Sequence, residues 1–265
     1  MVNRGVAVAL TGAVALVACG GGQEPARSEP PRSEAARPDP PRDDSLALRW
    51  RMTGGIAGLG GPGTLPEFSL YADGRAIVPL RSNAPVPALR EYRLRPEALR
   101  KLLLEARAAG LDRSRTHGSE AQIADAMVLF ITMGEARTRV VQPEAQHVPA
   151  VSFWKRLDPK GWPQADQAAP PAAYRAPRIA ALAGESPATD GRRVSDWPVD
   201  RPLGEGVRAA GGLCTVYTGE DRDTVFKHIA TAMDDRRWRS GGRLYSVRLR
   251  PMLPDERTCE DITRS

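Results

Sequence analysis

The sequence predicts an α+β fold, in which an antiparallel sheet is covered by a few helices and the folded region divides into two small halves. Alternating apolar and polar residues indicate a strand at Leu46–Thr53. An Asp-Gly pair at 73–74, between two apolar runs, is typical of a β-hairpin. Apolar residues at helical spacing are confined to a few short segments between the strands.

The first half is expected to span residues 46–157. Its strands are predicted at 46–53, 67–71, 76–80, 126–133 and 138–141, with a short helix at 149–157. A longer helix begins near Pro96, and Gly110 is its expected C-cap. The apolar stripe of that helix consists of Leu99, Leu102, Leu103 and Ala106.

The second half, 201–265, is predicted to contain a strand, a helix and a final strand. The strands are expected at 213–217 and 244–249, and the helix follows Gly219. Its predicted apolar stripe is Val225, Phe226, Ile229 and Met233. Residues 158–200 are rich in Pro, Ala and Gly, which predicts a connection with ordered parts near 174–182 and Trp197.

The N-terminus has the pattern of a lipoprotein signal peptide, residues 1–18. The apolar stretch 6–18 is shorter than the ~20 residues that a membrane-spanning helix needs. Leu16-Val17-Ala18-Cys19 resembles the lipobox of bacterial lipoproteins, which predicts cleavage before Cys19 and lipid on its thiol. An ordinary secretory signal followed by a buried cysteine is the alternative. We expect an exported protein, anchored by lipid to the outer face of the cell membrane.

Residues 19–45 are predicted to be the lipidated cysteine followed by a disordered tether. Three glycines are followed by a five-residue repeat of acid, proline or alanine, and arginine. Proline favours extended polyproline II structure, as a spacer requires. A proline-rich ligand for a recognition domain is the alternative interpretation.

Two cysteines remain in the second half, Cys214 and Cys259. In an exported chain, two cysteines most simply form one disulfide bond, and two free thiols are the alternative. The sequence contains no Cys-x-x-Cys pair, which is the pattern typical of a redox site.

Charge and motifs argue against several function classes. The 265 residues include 38 Lys and Arg against 32 Asp and Glu, a net charge of +6, but the arginines are scattered among acids and aromatics are only 5%. This pattern does not predict a nucleic-acid partner. Gly58, Gly60 and Gly63 match the letters of a dinucleotide fingerprint, but Pro62 and a strand signal stand where the helix should begin, so no small-molecule cofactor is expected. The three histidines lie far apart, and neither a metal site nor catalytic residues are predicted.

A glycine-rich loop at 54–63 is the candidate binding site. Its candidate contact residues are Gly54, Gly55, Ile56, Gly58 and Leu59. Three explanations are open: the chain needs positive φ angles there, a partner approaches the backbone closely, or the loop has no special role. Exposed Ile56 and Leu59 side chains would favour a contact site.

Several segments resemble a family of uncharacterised actinobacterial-type lipoproteins. They are the lipobox at Cys19, Gly54–Gly58, Leu70–Arg75, Ala109–Leu111, and Arg250–Glu256 with Cys259. This resemblance implies export and a lipid anchor but no activity. Gly54–Gly58 beside a small α/β unit is also similar, more remotely, to emfourin-type inhibitors of metallopeptidases.

The expected function is therefore a lipid-anchored, non-catalytic binding or accessory protein of the cell envelope. Its expected partners are the membrane, through lipid on Cys19, and an envelope protein or the cell wall. Two alternatives are a peptidase inhibitor that acts through residues 54–63 and an envelope hydrolase without a recognisable site.

Overall fold

Fourteen strands and four α-helices occur in the part of the chain that the computed structural model describes. The described residues are 43–55, 60–61, 63–81, 84–119, 125–187, 191–230 and 236–264. The predicted signal peptide, Cys19, most of the tether, and the loop residues Ile56, Gly58 and Leu59 lie outside these ranges.

The strands are β1 Leu46–Thr53, β2 Phe68–Tyr71, β3 Arg75–Pro79, β4 Leu89–Leu94, β5 Arg115–His117, β6 Val128–Met133, β7 Ala136–Val141, β8 Gln167–Ala173, β9 Arg178–Glu185, β10 Val194–Asp196, β11 Val207–Ala209, β12 Gly212–Thr218, β13 Arg237–Ser240 and β14 Arg243–Pro251. The helices are α1 Pro96–Ala108, α2 Pro149–Trp154, α3 Gly219–Ala230 and α4 Asp261–Arg264. None of the helices among the described residues is long and apolar enough to cross a bilayer.

Two mostly antiparallel sheets confirm the predicted α+β class. Sheet 1 has eight strands in the order β5-β7-β6-β1-β2-β3-β4-β8, and sheet 2 has six in the order β10-β13-β14-β9-β12-β11. The parallel pairs are β5 with β7 and β10 with β13. The two sheets have different strand orders and therefore different topologies.

Sheet 1 is covered on one face by α1 and α2. Leu48, Trp50 and Met52 of β1 belong to the same apolar core as the predicted helix stripe. Arg49 and Arg51 alternate with them and therefore lie on the opposite face of the sheet. The alternation along β1 therefore separates the side chains that contact the helices from the arginines on the other face.

Local turn chemistry explains the β2–β3 hairpin. Gly74 has a φ of +86°, and its N–H donates to Tyr71 O at 3.0 Å. The chain before β1 is attached to this hairpin: Ala72 N donates to Ser45 O at 2.9 Å, and Arg75 pairs with Asp44 at 2.9 Å. The predicted tether therefore extends too far at its C-terminal end, because 43–45 are held by the folded region.

Sheet 2 contains a strand that the sequence placed in a connection. Residues 158–200 include β8 of sheet 1 and β9, which lies at the centre of sheet 2 between β14 and β12. Both faces of β9 are buried, and its alanines allow close packing there. The change from one sheet to the other occurs at 174–177, a much shorter boundary than predicted.

Helix α3 packs on sheet 2 through Val225 and Ile229, which are buried as predicted. Phe226, assigned to the same stripe, is instead 47% exposed. Val225 and Ile229 are four residues apart on one face, and the phenyl ring next to Val225 falls outside that contact. Met233 lies outside the described residues.

The residues after β14 connect the two sheets. Leu253 packs with Tyr71, Ile77 and Leu89 of sheet 1, whereas Met252 packs against the face of sheet 2 that α3 does not cover. The described residues, from 43 onward, accordingly belong to one compact unit. The predicted halves are two sheets that share a C-terminal segment.

Candidate functional site

Cys214 and Cys259 lie together, as predicted, with Cα atoms 6.0 Å apart and a disulfide bond between them. Cys214 is on β12, and Cys259 follows the segment that leaves β14. Both are buried with Ala180, Leu182 and Ile262. The disulfide therefore fixes the C-terminal segment to sheet 2.

The same segment binds sheet 1 through Asp255. The Oδ1 atom of Asp255 accepts from Tyr71 Oη at 2.7 Å and from Arg49 Nη2 at 2.8 Å. Arg49 also donates from Nε to Ser69 Oγ at 2.9 Å. Burial raises the pKa of Tyr71, so its hydroxyl keeps its proton and remains a donor to Asp255.

Glu256 binds back to sheet 2. Arg250 donates to both carboxylate oxygens of Glu256, at 2.6 and 2.8 Å, and Leu253 N donates to Oε2 at 2.8 Å. The two side chains are 2% and 1% exposed. The Asp255-Glu256 pair therefore connects the sheets, with one carboxylate facing each of them.

The two described residues of the candidate binding loop, Gly54 and Gly55, have φ angles of +90° and +72°. A Cβ atom on Gly54 would lie 2.2 Å from Ala126 O. Glycine at position 54 is therefore required both by its φ angle and by the close approach of the chain before β6. Of the three open explanations, the need for positive φ angles is therefore the one that the structure supports at this end of the loop.

The other end of the loop is held by arginines from both sheets. Arg51 donates from Nη2 to Gly60 O and to Thr64 Oγ1, each at 2.9 Å. Arg250 approaches Thr64 O at 3.4 Å. A Cβ atom on Gly63 would lie 3.0 Å from Leu182 Cδ1 of sheet 2. The loop thus begins and ends in fixed positions.

Four arginines, Arg49 and Arg51 of β1 with Arg248 and Arg250 of β14, form what we call the arginine cluster. Burial lowers the pKa of Arg51. Burial and the positive charge of Arg250 lower the pKa of Arg248. The Nε atoms of Arg51 and Arg250 are buried without an acceptor in the described part of the chain. The cluster could not be predicted from the sequence, because its members come from two distant strands and each has the pattern of an ordinary solvated face.

On the other face of β1 lies a second candidate site, which we call the tryptophan cleft. Its volume is about 470 Å³. Trp50 and Trp154 meet edge to face in it, with ring centroids 5.7 Å apart. The remaining lining residues are Glu67, Phe68, Val78, Pro79, Leu80, Arg81, Lys155, Leu157, Asp158, Pro159 and Lys160. Aromatic walls with a few polar groups are typical of binding clefts.

The two carboxylates of the cleft, Glu67 and Asp158, accept hydrogen bonds from backbone N–H groups. Glu67 Oε2 accepts from Met52 N at 3.1 Å, and Asp158 Oδ1 accepts from Lys160 N at 3.0 Å. Burial raises the pKa of Glu67. Lys155 pairs with Glu144 at 3.3 Å, outside the cleft. The arrangement offers apolar contact and exposed cations to a ligand.

Within the described ranges, no group of three or more His, Cys, Asp or Glu side chains is placed to hold a metal ion. Comparisons of this chain with protein-family models, curated proteins and solved structures found no match.

Proposed function

We propose that this protein is an exported lipoprotein, anchored to the outer face of the cell membrane through Cys19, and that its folded region is a non-catalytic binding module of the cell envelope. The sequence Leu16–Cys19 supports the anchor, as does a disulfide bond of the kind that persists in oxidising compartments. The membrane is the first partner, and an envelope protein or the cell wall is the second.

The observation that carries the binding role is the tryptophan cleft. It is concave, its walls are aromatic and apolar, and Lys160 and Arg81 are exposed at its rim. Its two carboxylates already accept hydrogen bonds from backbone N–H groups. Aromatic and apolar walls with exposed cations at the rim are suited to holding a ligand.

The anchor is tested by Cys19→Ala in the producing cell. We expect the protein to move from the membrane fraction to the medium, or to remain unprocessed. Mass spectrometry of the wild-type membrane fraction should show a diacylglycerol-modified cysteine as the new N-terminal residue. An unmodified Cys19 in that fraction would overturn the proposal.

The binding role is tested with the purified Cys19→Ala chain and insoluble cell-wall material from the same cells. Trp154→Ala and Lys160→Glu should each reduce the cosedimenting fraction several-fold. Phe226→Ala removes an exposed aromatic ring outside the cleft and is the matched control. Thermal melting of each variant separates lost binding from lost folding. Equal cosedimentation of all three variants and the parent chain would refute binding at the cleft.

A peptidase inhibitor that acts through residues 54–63 is the second candidate. The fixed ends of the loop support it, because a pre-organised loop loses less entropy when it binds. Its test is inhibition of a thermolysin-type metallopeptidase by the purified chain, with Ile56→Ser and Leu59→Ser as loop variants. The envelope-hydrolase alternative stays a prediction without added support.

A further inference from the structure

We propose that the tryptophan cleft is one end of a longer groove on sheet 1, and that this groove binds an anionic polysaccharide chain. The inference rests on the proposed function, because it names the ligand class of the same cleft. The ligand is a polymer of sugar rings that carries carboxylate or phosphate groups along its length.

A second hollow adjoins the tryptophan cleft. Its volume is about 520 Å³, and Pro159 and Lys160 line both spaces, so the two meet at this turn. The second hollow extends from Tyr92 on β4 to Pro170 and Pro171 on β8. Each space has the size of an ordinary ligand site, ~300–1,000 Å³. A groove made of two such spaces suits a chain of several units better than one small molecule.

The turn between the two spaces is held in place by backbone and aromatic contacts. Lys160 N donates to Asp158 Oδ1 at 3.0 Å. The ring of Trp162, which follows the turn, meets the rings of Phe68 and Tyr92 edge to face, with centroids 6.1 and 6.2 Å apart. The Lys160 side chain is exposed. A fixed turn therefore places a cation between the two halves of the groove.

The rim of the groove carries positive charge without local neutralisation. Arg81, Arg95 and Lys160 line it from three separate segments, and all three are exposed. None of them has an ion-pair partner among the described residues. The carboxylates of the groove, Glu67 and Asp158, already accept backbone N–H groups. An anionic ligand would therefore complement the charges that the groove exposes.

The aromatic walls favour sugar rings as the units of that ligand. Trp50 and Trp154 are only partly buried, so parts of both rings remain open to a ligand. The face of an aromatic ring is electron-rich and attracts groups with positive edges. The C–H groups on the face of a sugar ring meet this requirement, and its hydroxyl groups stay in water. A charged polysaccharide thus uses both the walls and the rim.

An acidic peptide would match the charge of the groove but not its backbone geometry. Extended peptides commonly bind by hydrogen bonds between main chains at a free sheet edge. The tryptophan cleft is lined by β1, β2 and β3, each of which has a neighbour on both sides in sheet 1. Strand β8 is an edge strand, but Pro170 and Pro171 have no N–H to donate. A ligand recognised by rings and charges fits these strands better.

The test uses the full chain with Cys19→Ala and polysaccharide released from the walls of the producing cells. Anion exchange separates an acidic from a neutral fraction, and each is immobilised for binding measurements. Poly-glutamate is the peptide probe. The variants are Lys160→Gln, Arg95→Gln and Trp154→Ala. Arg208→Gln is the matched control, since Arg208 is an exposed arginine on β11 of sheet 2, outside both spaces.

We expect the parent chain to bind the acidic fraction at least tenfold more tightly than the neutral one. Lys160→Gln and Arg95→Gln should each weaken this binding about two- to fivefold, because each removes one exposed ionic contact. Trp154→Ala should weaken it more, and Arg208→Gln should match the parent chain. Binding should also weaken as the salt concentration rises, since salt screens exposed charges. Thermal melting identifies any variant that loses its fold.

Equal binding of the acidic and neutral fractions would overturn the inference, as would undiminished binding by Arg95→Gln. Tighter binding of poly-glutamate than of the acidic fraction would identify a peptide site instead. The proposed function can survive such a result. If Trp154→Ala still loses cosedimentation with whole cell-wall material while the acidic fraction does not bind, the cleft has another ligand and only the polysaccharide is refuted.

Discussion

Arg250 and Glu256 form a bidentate ion pair that is almost completely buried, six residues apart at the junction of the two sheets. Arg250 belongs to the last strand of sheet 2, and Glu256 ends the segment that crosses to sheet 1. Desolvating two charges is unfavourable, so the pair is favourable only while both partners and their hydrogen bonds are present. Loss of either partner should therefore destabilise the connection between the two sheets.

Glu256→Gln should destabilise the fold by about 3–5 kcal/mol, because it leaves the Arg250 guanidinium buried without a counter-charge. Urea unfolding followed by fluorescence measures the free energy. Glu185→Gln is the control. Glu185 pairs at 2.6 Å with Arg243, which lies on β14 like Arg250, but both side chains of this pair are exposed. An exposed pair contributes little. Similar losses in both variants would contradict the role assigned to burial.

The disulfide should contribute about 4 kcal/mol to stability, since it closes a loop between residues 45 apart in the chain. Replacing both Cys214 and Cys259 by Ser should lower the free energy of unfolding by that amount. Thiol titration of the unreduced, unfolded mature protein should detect neither cysteine. Two titrating thiols would mean that the bond does not form in the cell.

Local signals in the sequence predicted the elements that local chemistry determines. The Asp73-Gly74 turn and helix α1 are examples: Gly110, just after the helix, has a φ of +80°, and Leu111 N donates to Ala106 O at 3.1 Å. These interactions join residues a few positions apart. A short segment of the sequence is therefore enough to predict these turns and helix ends.

Strand β9 could not be predicted in the same way. Half of its residues, Arg178–Glu185, are alanine or glycine, and both of its faces are buried, so it has no alternating pattern. Arg49 is a similar case. Its polar position on β1 indicated a solvated face, but the side chain is buried and donates to Asp255, which is 206 positions away in the sequence. The tryptophan cleft likewise combines two predicted apolar faces, of β1 and α2, whose packing the sequence did not show.

Glu67 should make stability depend on pH. Burial raises its pKa above the ordinary value of 4.5, so the folded state holds a proton that the unfolded state has already lost. The stabilising contribution of the protonated form is complete below that value and is lost as the pH rises through the folded-state pKa. Glu67→Gln keeps an acceptor for Met52 N and does not ionise.

Relative to the parent chain, Glu67→Gln should therefore gain stability as the pH rises above about 4.5. Unfolding free energies at a series of pH values measure this difference. Glu97→Gln is the control, because the Glu97 side chain is 75% exposed on α1. A difference between Glu67→Gln and the parent chain that does not change with pH would show that Glu67 ionises normally.

Gly54→Ala tests whether the glycines of the loop have a structural role. Position 54 has a φ of +90°, and the new Cβ would meet Ala126 O at 2.2 Å, so β1 or the chain before β6 must move. We expect a loss of about 3 kcal/mol or more, from backbone strain and the clash together. Gly134→Ala is the matched control, since Gly134 has a φ of +58° and nothing lies within 4 Å of the added atom. Its loss should be about 1 kcal/mol, from the left-handed conformation alone. Equal melting of the two variants would indicate that Gly54 fills no structural need, and a binding role or no special role would then be the explanations left.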